Sequence, residues 1–260
     1  MTLRDPHTPR RFAILKAGTA NRLARERLGD FSGMFQTLFG GDGAAWDVVD
    51  VQHGQFPEDV TAYDGYVVTG SRASAYDQDP WVLRLLDTVR DIHARQIPLL
   101  GMCFGHQAIG LALGGAVEPN PRGWDVGARA LELTATGRGL PLLADAPTPL
   151  AIHKLHADVV TRLPPGAVHL ARSAHAEHES FAVGNTTLCL QGHAEFDDDV
   201  IREAVERLEG AKLLTADQAQ ASRASLSLAA SRAFWQPRLR QFFAQGGLAV
   251  PVTATQRVRR

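Results

Sequence analysis

Apolar and polar positions alternate along this chain in short blocks whose lengths and spacings separate strands from helices. Residues 12–15 (FAIL) and 46–51 (WDVVDV) are brief apolar runs with the length and flanks of buried strands, and between them residues 31–39 carry apolar side chains at roughly helical spacing. A third run, 66–68 (YVV), closes on Thr69-Gly70-Ser71, which reads as a turn. Asp79-Pro80-Trp81 then opens a helix, with Asp79 at the cap and proline at the first helical position, and Val82, Leu85, Leu86, Val89 and Ile92 give that helix one apolar face. Residues 98–102 (PLLGM) form the next strand, followed at once by a helix over about 105–113. Strand and helix alternating in this way predict an α/β fold, a mostly parallel sheet with helices on both faces.

The second half changes character. Residues 129–133, 168–171, 180–183 and 186–190 are β-like runs separated by glycine and proline turns, and they predict further strands, some antiparallel, added to the same sheet. From Asp197 the pattern is helical again, through Val200, Ile201, Val205 and Leu208, and residues 215–243 are another amphipathic candidate. The final stretch, GGLAVPVTATQRVRR, has no periodicity and reads as a mobile tail. The expected organisation is a catalytic domain over 1–212 and a C-terminal helical extension with its tail over 213–260.

Charge narrows the function. The 260 residues include 27 basic and 28 acidic side chains, a net charge of -1, which provides no global field to gather nucleic acid or an anionic membrane. A small molecule or a protein is the better-matched partner. The N-terminal MTLRDPHTPRRFAILKAG has only a short apolar run where a secretion signal needs a longer one, and no apolar stretch is long enough to span a bilayer. A cytoplasmic location is therefore expected. Cys103 and Cys189, the only two cysteines, exclude a disulfide framework and a multi-cysteine zinc site.

One of those cysteines sits in the densest chemical signal of the chain. Gly101-Met102-Cys103-Phe104-Gly105 falls where a strand hands over to a helix, the cysteine counterpart of a nucleophile elbow. A nucleophile on such a turn projects from the sheet, and flanking glycines remove side chains that would strike neighbouring backbone. The following helix aims its amino-terminal dipole at the sulfur, which favours the thiolate, and sets the Phe104 NH to receive an oxyanion. Cys189, inside the apolar TTLCL, reads as a core thiol.

A cysteine hydrolase also needs a histidine to move the proton, and usually a third group to hold the imidazole. His193 and Glu195 follow the TTLCL strand directly; in extended chain, residues two apart share a face, so the carboxylate can hold one ring nitrogen while the other meets the sulfur. Gly70, after its own apolar strand, can bring up a second backbone NH. The candidate oxyanion hole is therefore Gly70 with Phe104.

Taken together, TGSRASAYDQDPW, PLLGMCFGHQ and LQGHAEF resemble the class I glutamine amidotransferase family, nearest its stand-alone branch similar to the glutaminase domain of GMP synthetase, which includes γ-glutamyl peptidases. The resemblance runs over about 11–200. It implies a flavodoxin-like mixed sheet, Cys103 as nucleophile, His193 as general base with Glu195 its partner, Gly70 and Phe104 at the oxyanion, and Gln107 lining the substrate pocket. Residues 120–127 (NPRGWDVG) and 153–159 (HKLHADV) look like segments bordering the site. His156 and Asp158 form a second histidine–carboxylate combination, expected to be structural or pocket-lining. The family usually has proline between the histidine and the glutamate, where this chain has Ala194, which bears on the rigidity of the pair.

The activity so implied is cleavage of the γ-amide of glutamine or of a γ-glutamyl compound through a glutamyl thioester. Neither a metal nor a cofactor is called for. No GxxxxGK[ST] loop is present, so ATP-dependent acceptor chemistry is not expected of this chain. A separate synthetase as partner to a glutaminase subunit is the alternative, and a non-catalytic scaffold a lesser one.

Overall fold

In the computed structural model, which describes residues 10–20, 25–26, 29–40 and 44–249, apolar residues of successive strands point alternately to the two faces of one sheet. The strands are β1 (Arg11–Leu15), β2 (Ala45–Val49), β3 (Tyr66–Val68), β4 (Leu99–Met102), β5 (Ala116–Pro119), β6 (Asp125–Leu133), β7 (Leu150–His156), β8 (Asp158–Arg162), β9 (Ala167–Arg172), β10 (Ser180–Val183) and β11 (Thr187–Leu190). Nine of them make a sheet in the order β2-β1-β3-β4-β11-β10-β9-β6-β7, while β5 and β8 pair separately. From β2 to β11 neighbours run parallel; from β11 to β7 they run antiparallel. The fold is thus α/β with a mixed, partly parallel sheet flanked by helices.

The helices are α1 (Asp30–Phe39), α2 (Pro80–Ala94), α3 (Phe104–Ala112), the short α4 (Ala135–Gly139), α5 (Asp198–Gly210), α6 (Ala216–Ser225) and α7 (Arg232–Ala244). Phe12, Ile14, Val67, Leu100, Met102, Leu188 and Leu190 share one core with α1, α5 and α7, whereas Ala13, Leu15, Tyr66, Val68, Leu99 and Cys189 share the other with α2 and α3. The period-two alternation within each strand divides the two cores.

Three readings shift on contact with the structure. The run 46–51 stops being strand at Val49: Asp50 instead caps a single 3-10 turn, accepting from the His53 NH at 3.3 Å, and so ends the pairing with β1. Asp79 does occupy the cap of α2, but its side chain makes no capping bond. Residues 215–243 divide into α6, started by a capping box between Thr215 and Gln218, and α7. The aromatic face of α7 is part of the main core, with Phe243 edge-on to Phe12, Phe39 and Trp46 at 5.4, 5.3 and 5.1 Å between ring centres. Beyond it Leu248 NH bonds to Asn185 O; residues 250–260, most of the expected tail, lie outside the described residues, as do residues 1–9. No helix among the described residues is long and apolar enough to cross a membrane.

Candidate active site

Register brings the chemistry to one level. Val68 on β3 and Cys189 on β11 both pair with Gly101 on β4, and Leu190 pairs with Met102, so β3, β4 and β11 deliver their following residues to the same edge of the sheet. This is the crevice outside the carboxyl ends of parallel strands, where α/β folds place ligands.

Cys103 links β4 to α3 with φ 52° and ψ -106°, a positive-φ conformation that a non-glycine residue adopts only under constraint. The constraint is visible. Cys103 NH bonds to Leu190 O at 2.9 Å and Gly105 NH to Thr69 O at 3.2 Å, stitching the elbow to both neighbouring strands. A methyl on Gly105 would come within 2.2 Å of Val68 O, and one on Gly101 within 2.5 Å of Gly105 O, so only glycine permits this approach. The sulfur lies 3.6 Å from Leu155 O.

His193 stands beside it. Its Nδ1 pairs with Glu195 Oε1 at 2.7 Å, its ring stacks on Phe196 at 3.9 Å, and both His193 and Glu195 are buried. The Nε2 atom makes no hydrogen bond among the described residues. Burial alone pushes this imidazole down, but the Glu195 carboxylate and then Cys103 outweigh it and carry the group up to about 10. Where proline was expected, Ala194 is buried and the backbone is pinned differently: His193 NH bonds to His153 O at 2.9 Å in an isolated bridge to β7, and His153 Nε2 is paired with Asp198 Oδ1. Cys189, by contrast, is held well above its usual range by burial.

Gly70 completes the grouping. A methyl group there would lie 3.2 Å from His193 Cε1 and 3.9 Å from Cys103 Cβ. Neither its NH nor that of Phe104 donates a hydrogen bond among the described residues, which leaves two backbone donors beside the sulfur. These residues open on a cavity of about 400 Å³, in the size range of small-molecule sites. Gln107 lines it, with Nε2 held by Asp158 O at 2.8 Å.

The second histidine–carboxylate combination has a different geometry. His156 Nδ1 faces the Asp158 main-chain oxygen at 3.0 Å, not its carboxylate. The Asp158 carboxylate instead accepts from Ser74 Oγ at 2.6 Å and from the Tyr76 hydroxyl at 3.1 Å, tying the segment after Gly70 to β8. Asp158→Asn is expected to weaken both charge-assisted bonds, loosen the Gly70 turn and lower kcat about tenfold with little change in KM. Steady-state kinetics check this, together with the Gly70 amide resonance.

His156 itself is buried beside Asp125 and Lys154, and burial first, then the Lys154 charge, hold it down at about 4 against the favourable Asp125. Its folded value lies below the ordinary 6.5, so the stabilisation from keeping it neutral is complete above pH 6.5 and is lost as pH falls toward 4. The unfolded chain binds the extra proton in that window, and the expected loss is about 3 kcal/mol. Urea unfolding at pH 7 and pH 4.5 measures it; His156→Gln should flatten the difference. His106, held well below its usual value mainly by burial, acts in the same direction.

Residues that pattern and spacing did not single out also meet here: Phe196 under the imidazole, Leu155 at the sulfur, and Arg72 and Arg207 at the cavity. Arg207 follows Val200 by seven positions on α5, two turns along one face, a spacing legible only once Val200 is known to face the cavity.

A cysteine on a strand-to-helix elbow, with histidine and carboxylate at the end of an adjacent parallel strand, defines an α/β protein of the nucleophile-elbow class. Within that class the chain belongs to the class I glutamine amidotransferase family, whose model matches residues 42–208. It is 33% identical over 238 residues to γ-glutamyl peptidase 5 of Arabidopsis thaliana, covering 90% of this chain and 95% of the relative. To γ-glutamyl peptidase 3 of the same plant it is 31% identical over 239 residues, covering 90% and 96%. The crystal structure of a glutamine amidotransferase from Thermotoga maritima shares the fold, with a TM-score of 0.70 at 21% identity over 91% of this chain and 99% of that one.

Proposed function

We propose that this protein is a γ-glutamyl amide hydrolase that works through a thioester on Cys103, with His193 and Glu195 completing the triad. The observation that carries the reading is the His193 ring, fixed through Nδ1 by Glu195 and with its free Nε2 in the company of Cys103. The Cys103 thiolate attacks the γ-carbonyl carbon, and the resulting oxyanion is received by the Gly70 and Phe104 NH groups. The His193 imidazolium gives its proton to the departing nitrogen as the C–N bond breaks. Water then loses a proton to His193 and adds to the thioester, and the C–S bond breaks to free glutamate and restore the thiolate. With glutamine the leaving group is ammonia; with a γ-glutamyl peptide or amine it is larger, and the same groups serve. The likeness to γ-glutamyl peptidases over almost their whole length supports the larger leaving group.

The test uses purified protein alone, assayed against glutamine and a panel of γ-glutamyl peptides and amines, with intact mass read after exposure to a glutamine-like electrophile. Turnover of at least one γ-glutamyl compound and a single adduct on Cys103 are expected. An adduct that forms only when cell extract is added would replace this reading with a glutaminase subunit that waits for its synthetase.

A further inference from the structure

The cavity in front of Cys103 is apolar beside His193: Phe196 stacks on its ring at 3.9 Å, Phe31 stacks on Phe196 at 6.2 Å, and Val200 of α5 lines the same cavity. Because His193 hands its proton to the departing nitrogen, the leaving group occupies the histidine's side of the cavity.

Two arginines also line this cavity. Arg72, just after the Gly70 turn, and Arg207, two turns beyond Val200 on α5, both line the cavity. Neither makes an ion pair or a hydrogen bond among the described residues, although most of the other described arginines do. They are close enough to oppose one another: burial and then the Arg72 charge bring Arg207 down, against a smaller opposite effect of Glu203. Among the described residues the one carboxylate lining the cavity, Asp158, is already taken by Ser74 and Tyr76. Among the described residues lining the cavity no carboxylate is left to pair with these arginines, and Glu203, outside the lining, offsets only part of the charge of Arg207. Guanidinium groups held close together and unpaired at a cavity are matched by an anion from the ligand, and their planar donor fork suits a carboxylate.

We propose that Arg72 and Arg207 form a carboxylate clamp for the leaving group, so that the preferred substrates are γ-glutamyl amino acids or peptides with an apolar side chain and a free terminal carboxylate. The clamp rests on the hydrolase reading above, since that reading decides which side of the cavity the leaving group fills. It sets specificity rather than chemistry: glutamine and γ-glutamyl amines carry nothing for the arginines to hold.

The discriminating pair of ligands is γ-glutamyl-leucine and its terminal amide, which differ only at the group the clamp would grip. Calorimetric titration into the full-length Cys103→Ala protein is expected to give affinity about tenfold or more tighter for the acid, the size of hydrogen bonds to a charged group. This ratio should shrink as ionic strength rises, because the arginines stand at the solvent edge. In Arg72→Gln and Arg207→Gln, and most in the double variant, it should approach one. Equal affinities, no measurable affinity for either ligand, or a preference that survives the double variant would overturn the clamp. Wild-type turnover of the amide and of glutamine reads the hydrolase assignment separately. Turnover without acid preference removes the clamp and keeps the assignment, whereas no turnover of any γ-glutamyl compound, acid included, removes the assignment itself.

Discussion

Cys103→Ser is expected to fold normally and to lose activity by at least about 10³-fold, the scale seen when a nucleophile is removed from a group of residues that act as a unit. A serine hydroxyl stays protonated at neutral pH, whereas this site is arranged for a thiolate beside a protonated imidazole. The substitution also takes away one of the two neighbours that keep His193 charged, so the imidazole, up to about 10 in the native site, should titrate lower in the variant. Nitrogen-15 NMR of the histidine ring follows this independently of turnover. Cys189→Ser supplies the contrast. Its sulfur is wholly buried in β11 and opposite Phe181, so the hydroxyl should reduce stability and leave the chemistry in place. Loss of activity in the Cys189 variant, with full activity in the Cys103 variant, would move the nucleophile to β11.

His193→Asn is expected to reduce kcat by about 10²- to 10⁴-fold, the ordinary worth of a positioned acid–base group. Glu195→Gln should reduce it less, because the amide oxygen can still accept from Nδ1 while the negative charge that holds the ring protonated is gone. The pH profile separates the two roles. His193 has a folded value above its ordinary 6.5, so whatever stability its charge contributes is complete below pH 6.5 and disappears as pH rises through about 10. In Glu195→Gln both this loss and the alkaline limb of activity should move to lower pH. Rates measured across pH 6–11 on one γ-glutamyl substrate show it; a His193→Asn enzyme running at full speed would redirect attention to His156.

The strands that build the parallel half were legible because each is a short apolar run bounded by turn residues, and their alternation is visible in the core: residues 12 and 14 face one layer, 13 and 15 the other. The strands β7 and β8 were not, since they carry His153, Lys154, His156 and Asp158, polar residues that pattern analysis assigns to loops. Their polarity has a tertiary cause. Lys154 is fully buried because it pairs with Glu179, which also accepts from Ser173 Oγ at 2.5 Å, and these partners come from β-strands and turns about twenty or more residues away. Likewise α7 looked like an appendage, although Phe243 closes an aromatic cluster with strands and a helix from the first fifty residues.

By itself the sequence determined the local chemistry: an elbow that only flanking glycines allow, a histidine and a carboxylate two positions apart, and a glycine turn at the end of a strand. Those are short-range relations, set by sterics and the two-residue period of extended chain. Only the tertiary structure decided that the three segments meet, because strand order and register across β3, β4 and β11 place residues some thirty and ninety positions apart on one edge of the sheet. It also decided that Asp158 ties a turn rather than serving His156, and that Arg72 and Arg207 meet at one mouth. A side chain's partner depends on which distant backbone packs against it, and that follows from how the two cores fill on either side of the sheet.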